Sequence, residues 1–221
     1  MEITATHLHI GKRFSGLNPA QRRAVYQKIR AEGLVIGQFP ILARDAAAQA
    51  RCPASYAQLR QWFLWQLEPG SSAYHISGGL KLKGLLDVQA LQASFDALLE
   101  RHESLRTVFQ ADAQGHVEQL ICQRMALEIP FTDLSGIDAE VREARAREAA
   151  VRLAETPFDL TAGPLLRVAL IRLAADEHLL VVVMHHIVSD GWSMQVLVDE
   201  FAAQYRARAA GRAPRLAPLP N

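Results

Sequence analysis

The chain has 221 residues, half of them hydrophobic, and its 24 basic and 23 acidic side chains leave a formal net charge of +1. This length supports one substantial hydrophobic core, and the balanced charge gives no electrostatic reason to expect nucleic acid or an anionic membrane as a partner. The N-terminus lacks the basic start and apolar run of a signal peptide, and no apolar stretch reaches the length of a membrane helix. Cys52 and Cys122 form no spaced motif, so we expect a cytoplasmic protein with free thiols.

The first fifty residues contain one clear helix signal. Residues 18–33 predict a short helix, with Asn18 as its cap and Pro19 at its first position. Its basic side chains suit either a solvated face or a docking element that leads in from an upstream protein. We therefore predict an N-terminal helix and lead-in over 1–38, followed by an irregular connector over 39–53.

Helix and strand signals then alternate along the chain. Helices are predicted where a capping residue precedes apolar residues at helical spacing, and strands where short apolar or alternating runs lie between turn residues. The predicted helices are 55–67, one that Asp87 caps and that runs into residue 101, 137–154 and 192–208. The predicted strands are 74–83, 105–109, 116–121, 126–131, 165–173 and 179–184, the last two joined as a hairpin. This order predicts the α+β class, a sheet covered by helices.

The strand at 179–184 leads into the most distinctive part of the sequence. It is too short for a membrane span and rich in Val, which predicts a strand buried on both faces. His185 and His186 follow at once, and Asp190-Gly191 form a short loop before the last helix. Because consecutive strand residues point to opposite faces, only one of the two imidazoles can face a given cleft. A zinc site needs three or four ligands, and no third ligand lies near in the chain, so we predict no metal.

Three stretches resemble the core motifs of the condensation domains of nonribosomal peptide synthetases. Residues 55–64 (SYAQLRQWFL) resemble the first motif, SxAQxRxWFL, and residues 101–109 (RHESLRTVF) resemble the second, RHExLRTxF. Residues 184–193 (MHHIVSDGWS) resemble the third, HHxxxDG. All three lie in the expected order. The wider superfamily, which includes chloramphenicol acetyltransferase and other CoA-dependent acyltransferases, shares only a looser HxxxD form.

The resemblance implies a fold of two chloramphenicol-acetyltransferase-like lobes set in a V, with the active site between them. Residues 54–210 would form the N-terminal lobe, with a mixed, mostly antiparallel sheet covered by helices. Residues 211–221 are Pro-rich and would be a linker to a C-terminal lobe that this sequence lacks. With half of the tunnel walls missing, we expect this chain to be inactive or nearly so.

The resemblance also implies a reaction between two thioesters on donor and acceptor peptidyl carrier proteins. The α-amine of the acceptor would attack the donor carbonyl and form an amide. The substrates would arrive on phosphopantetheine arms, and the domain itself would bind no cofactor. Further partners would be the C-terminal lobe and a neighbouring adenylation domain.

The third motif carries the residues expected to act. His186 would be the functional imidazole, either as a general base or as an acceptor that orients the amine. His185, on the other face of the strand, would be structural. Gly191 would let the backbone pass close to the substrate, with its N–H toward the oxyanion.

The resemblance implies an ion pair at the same site. Asp190 would be structural and would pair with an arginine from the second motif, either Arg101 or Arg106. Breaking a buried pair of this kind would leave an uncompensated charge and cost about 3–5 kcal/mol.

Two alternatives stay open. The lobe could be a non-catalytic fragment or a docking module for a carrier protein, and it could be a CoA-dependent acyltransferase relative, although such a relative would not be expected to carry the second motif or the doubled histidine. An epimerisation relative shares HHxxxDG, and a heterocyclisation domain would have Asp in place of the first histidine. The amino acids that are joined, and the L or D form of the donor, are not predicted.

Overall fold

The structure is a computed structural model that describes residues 5–15, 17, 19–33 and 50–219. The chain divides into two compact units. The smaller unit holds helices α1 (Ala5–Ser15) and α2 (Pro19–Ala31). The predicted helix at 18–33 is confirmed as α2, whereas its predicted cap, Asn18, and most of the predicted connector lie outside the described residues.

The larger unit, residues 50–216, holds helices on a mixed sheet and a small second sheet. Its helices are α3 (Tyr56–Leu67), α4 (Val88–Arg101), α5 (Ala139–Glu155) and α6 (Gly191–Ala209). Its strands are β1 (Arg51–Pro53), β2 (His75–Lys83), β3 (Thr107–Ala111), β4 (Val117–Ile121), β5 (Phe131–Asp133), β6 (Leu166–Ala174) and β7 (Glu177–His185). A 3₁₀ turn at Glu103–Arg106 joins α4 to β3. These elements confirm the α+β class.

The main sheet has the order β2-β7-β6-β5. Strand β7 pairs antiparallel with β2 on one side and with β6 on the other, which confirms the predicted hairpin. Strand β5 is short and lies parallel to β6, so the prediction of a strand over 126–131 is wrong for all but its last residue. Strands β1, β4 and β3 form the second, antiparallel sheet. In the main sheet, β7 is therefore an interior strand that ends at His185, and His186 follows it directly.

Both faces of β7 are covered by helices. The side chains of Leu180, Val182 and Met184 face a core to which α4 and α6 contribute. The side chains of Val181 and Val183 face the opposite core, to which α3 and α5 contribute. This confirms the prediction of a strand buried on both faces. Among the described residues, no helix combines the length and the apolar composition that a membrane crossing requires.

Two of the helices that surround the histidines begin where the sequence predicts. Ser55 caps α3, and its hydroxyl accepts the backbone N–H of Gln58. Asp87 caps α4 through a bond from the backbone N–H of Ala90 at 2.9 Å. Each cap satisfies one of the N–H groups that the first turn of a helix leaves without an intrahelical acceptor.

Candidate functional site

His186 is the first residue beyond β7, and its side chain is exposed. Its backbone N–H donates to the carbonyl oxygen of Tyr74 at 2.8 Å, which continues the pairing with β2 by one bond. Its ring Nδ1 lies 2.7 Å from the carbonyl oxygen of Ser189. Because a carbonyl can only accept, Nδ1 carries a proton, so in the neutral form of the ring the lone pair lies on Nε2. His186 is thus an exposed imidazole with one fixed tautomer.

His185 has the opposite surroundings. Its side chain is 3% exposed and packs edge-on against the rings of His75 and Phe158, with centroid distances of 5.8 and 6.0 Å. Its Nδ1 accepts the backbone N–H of Ile187 at 3.1 Å, so the proton of the neutral ring lies on Nε2. Burial, reinforced by the neighbouring His75 and His186, lowers the pKa of His185 to about 4. His185 is therefore neutral at cellular pH and out of reach of a ligand.

The segment between the two histidines and α6 closes on the end of β7. The hydroxyl of Ser189, which is buried, donates to the carbonyl oxygen of His185 at 3.0 Å. The backbone N–H of Val188 donates to the same carbonyl at 3.2 Å. These bonds fix the carbonyl of Ser189 that holds the ring of His186. No pattern in the sequence indicates this role for Ser189.

Asp190 lies next in the chain and caps α6. Its carboxylate accepts the backbone N–H of Ser193 at 2.8 Å and the hydroxyl of the same residue at 2.7 Å. The bond from the Ser193 hydroxyl, followed by that from its backbone N–H, lowers the pKa of Asp190 below its usual range. The carboxylate is exposed and ionised at neutral pH.

The predicted ion pair between Asp190 and Arg101 or Arg106 is wrong. The carboxylate is committed to the first turn of its own helix, where N–H donors are available without a charged partner. Arg106 instead donates to the carbonyl oxygen of Cys122 and lies 3.7 Å from the carboxylate of Glu103.

Arg101 still connects the second motif to α6, but through Glu200. The Nε of Arg101 lies 3.0 Å from Oε2 of Glu200, and Nε2 of His102 lies 2.7 Å from the same oxygen. All three side chains are at most one-fifth exposed. Sequence reasoning missed Glu200; the available signal was a carboxylate one position before the core residue Phe201 on the apolar side of the helix.

Gly191 is the first residue of α6, and its φ angle is not positive. No heavy atom lies within 4 Å of the position that a Cβ would occupy there. Nothing within the described chain therefore requires glycine at this position. Its N–H belongs to the first helical turn, where backbone donors lack intrahelical acceptors and favour anions.

Two glutamines of α3 reach the same loop. The Nε2 of Gln61 donates to the carbonyl oxygen of His186 at 3.4 Å, and the Nε2 of Gln58 donates to that of Ile187 at 3.3 Å. The first and third motifs are therefore in direct contact. Sequence reasoning gave neither glutamine a role; the signal was two amides three residues apart, on one side of a largely apolar helix.

Two cavities border the strands and helices around the histidines. The larger, of about 550 Å³, lies between α5 and β2, and its lining includes neither His185 nor His186. It exists because small residues leave the space open on both walls: Gly78, Gly79, Ala146, Ala150 and Ala154. A smaller cavity of about 130 Å³ lies against the loop, bordered by Ser189 and Trp192. Within the described ranges, no three His, Cys, Asp or Glu side chains gather as a metal site would require.

The comparisons with known proteins agree on one family. The profile described as "Condensation domain" matches residues 48–221. A polypeptide of the linear gramicidin synthase of Brevibacillus parabrevis is 44% identical over 171 residues, which are 77% of this chain and 3% of that protein.

Solved structures resemble the larger part of this chain. The first condensation domain of the calcium-dependent antibiotic synthetase, in complex with a substrate analogue, has a TM-score of 0.69 and 30% identity, over 76% of this chain and 40% of that one. The X-domain in its complex with OxyB, from teicoplanin biosynthesis, has a TM-score of 0.71 and 35% identity, over 82% of this chain and 37% of that one. This chain thus spans less than half the length of each protein that it matches here.

Proposed function

This chain belongs to the condensation domain family, and from that premise we propose that it is the N-terminal lobe of a domain that forms peptide bonds in a nonribosomal peptide synthetase. Residues 54–210 form that lobe. Residues 1–38 lead in, 39–53 connect, and 211–221 link to the rest of the domain. The similarity to a linear gramicidin synthase and to a solved condensation domain supports this assignment.

The reaction joins two aminoacyl or peptidyl thioesters. The amine nitrogen of the acceptor attacks the donor carbonyl carbon, and a tetrahedral oxyanion forms. Its collapse completes the C–N bond and breaks the C–S bond, and the donor carrier leaves as its thiol. The amine loses one proton and the leaving thiolate gains one, so no oxidant or further reactant is needed.

The single observation that supports a role for His186 is the state of its ring. Its Nδ1 proton is committed to Ser189, and the residue is exposed. The lone pair on Nε2 can accept a hydrogen bond from the acceptor amine or take its proton. Because a thioester is already reactive, orientation of the amine supplies much of the effect.

The other predicted site residues keep supporting roles in this proposal. The N–H of Gly191 donates to the oxyanion, and the absence of a side chain lets the substrate approach. Asp190 holds the start of α6, where that N–H lies. Arg101 fixes α4 to α6 through Glu200, and Arg106 holds the turn before β3 through Cys122 and Glu103.

The partners follow from the reaction. Donor and acceptor peptidyl carrier proteins bring the substrates on phosphopantetheine arms, so the domain binds no cofactor of its own. The C-terminal lobe supplies the opposite wall of the site, and an adenylation domain lies nearby in the synthetase. The site of action that we propose is the cytoplasm.

A second candidate is a docking module without turnover. The observation that favours it is the resemblance to the X-domain, whose solved structure is a complex with another protein, OxyB. Such a module would bind its partner whether or not the imidazole of His186 is present.

A turnover assay separates the two candidates. One reaction contains this chain with two loaded carrier proteins, and another contains the chain joined to the second lobe of a relative. We expect dipeptidyl thioester only from the two-lobe protein, because half of the site walls are absent from the lobe alone. Carrier binding without product from an otherwise folded two-lobe protein would favour the docking module and contradict our proposal.

A further inference from the structure

We propose that Gln58 and Gln61 are positioning residues, which hold the backbone of the loop between β7 and α6 (residues 186–190) so that the ring of His186 keeps a single tautomer and direction. This inference rests on the proposed function, because it concerns the imidazole that the reaction would use. Both residues lie in the first motif, and neither is close to His186 in the sequence.

The loop needs these donors because the sheet stops short of it. The pairing of β7 with β2 ends at His185, and its pairing with β6 ends at Met184. The carbonyl oxygens of His186 and Ile187 therefore lie beyond the strand ladders. A backbone carbonyl in such a place needs another partner, and the side-chain amides of α3 provide it.

Gln58 is held at both ends of its amide. Its Oε1 accepts the backbone N–H of Ser55 at 2.8 Å, within the capping box of α3. Its Nε2 also lies 2.9 Å from Oε1 of Gln119, and the Nε2 of Gln119 donates to the carbonyl oxygen of Pro53 at 3.2 Å. The amide cannot rotate without breaking several of these bonds, so it offers Ile187 a fixed donor.

Gln61 is committed to His186. Its Oε1 is buried and has no hydrogen-bond partner in the described chain, so its contact with the carbonyl of His186 is the bond that its amide retains. The helix on which it lies is anchored nearby, because Trp62 is 6% exposed and Nε1 of Trp65 donates to the carbonyl oxygen of Phe158 at 3.0 Å.

The positions of the His186 and Ile187 carbonyls influence the orientation of the His186 ring. The peptide groups of His186 and Ile187 lie between two fixed points: the Ile187 N–H on the buried ring of His185 and the Ser189 carbonyl on the ring of His186. If the glutamine donors are removed, the carbonyls turn toward water and the loop gains freedom. The bond from Nδ1 to Ser189 then weakens, and both tautomers of His186 become populated.

The test uses Gln58→Met and Gln61→Met, which keep side-chain length and helix propensity but remove the donor. Gln66→Met is the matched control, because Gln66 is exposed on the same helix. The ¹⁵N signals of the His186 ring are recorded in the 221-residue chain. We expect one tautomer, with the proton on Nδ1, in the wild type and the control, and a mixture in both variants. Gln61→Glu, of the same shape but without the donor, repeats the measurement should Gln61→Met fold poorly.

The same variants are then assayed in the two-lobe protein. We expect kcat to fall roughly 10-fold with KM almost unchanged, because the reacting groups are bound but misaligned. Unaltered ring signals in folded variants would overturn the positioning role, whatever the turnover. Altered ring signals with unaltered turnover would leave the positioning role intact and count against the proposed chemistry of His186.

Discussion

Neighbouring residues on one strand end hold imidazoles in two different states. His185 is buried between aromatic rings and accepts a backbone N–H, whereas His186 is exposed and donates to a backbone carbonyl. The alternation of strand side chains predicts that the two rings point apart. The tautomer of each ring cannot be predicted from the sequence. Each depends on a hydrogen bond to Ile187 or Ser189, in a loop that α3 contacts.

Burial of His185 makes folding sensitive to acid. The pKa of this imidazole is about 4 in the folded chain and near its ordinary value of 6.5 when unfolded. The unfolded chain therefore binds more protons between these values, so the stability that the neutral ring contributes is complete above pH 6.5 and is lost as the pH falls toward 4. We expect the free energy of unfolding of the wild type to decline over this window.

His185→Asn isolates this contribution, because Oδ1 of Asn can still accept the Ile187 N–H but does not titrate. Urea unfolding followed by circular dichroism from pH 7 to pH 4 should show a shallower decline for the variant than for the wild type. Parallel curves for the two proteins would contradict the buried, neutral state assigned to His185.

The substitution Gly191→Ala tests whether the start of α6 faces a substrate. Because its φ is not positive and a Cβ would meet no heavy atom of the chain, Gly191→Ala should leave the melting temperature unchanged. In the two-lobe protein we expect turnover to fall about 10-fold, because the methyl group would crowd the approaching thioester.

Gly136→Ala is the matched control, since Gly136 also has open space and no positive φ. It should change neither quantity. Full turnover in Gly191→Ala would show that this position does not approach the reacting groups.

At the scale of elements, helix α6 organises the candidate site: Asp190 caps it, Gly191 is its first residue, and Glu200 lies in its middle. The three motifs meet around it and the end of β7, since α3 contacts the loop and α4 is tied to α6. This explains physically why stretches about 50 and 80 residues apart in the sequence belong to one site.

Removal of the carboxylates of Glu200 and Asp190 should lower the free energy of unfolding by different amounts. Glu200 is 14% exposed and contacts both Arg101 and His102, so Glu200→Gln removes the negative charge from a largely buried ion pair and should destabilise the protein by about 3 kcal/mol. Asp190→Asn keeps an acceptor at the cap and should have little effect. Chemical unfolding measures the loss of stability in both variants. A larger loss in Asp190→Asn than in Glu200→Gln would support an ion pair between Asp190 and an arginine.

The elements that sequence reasoning predicted well are those whose signals are local. Ser55 and Asp87 start their helices as predicted, and the Val-rich run forms β7. Helix α1 was missed, because Thr6, Gly11 and Ser15 give its sequence a weak helix propensity. The partners of Asp190, Arg101 and Arg106 were missed because they depend on which side chains tertiary packing brings together, and sequence spacing does not encode that.

At the scale of the whole molecule, the described unit would form one wall of the site that we propose. It supplies a positioned imidazole, a helix start with open space beside it and a rigid support for both. It spans about 40% of the solved condensation domain that it resembles. The proposed reaction brings together two carrier-bound thioesters, so its turnover belongs to the complete domain and to its partners.

The central claim is that His186, and not His185, is the histidine that acts. Dipeptidyl thioester formation is measured at pH 7.5 in the two-lobe protein, with two loaded carrier proteins, for the wild type, His186→Ala and His185→Asn. We predict that His186→Ala lowers the rate by about 100-fold or more, while His185→Asn, if folded, keeps most of the wild-type rate. A rate that survives His186→Ala and is lost in folded His185→Asn would contradict this claim.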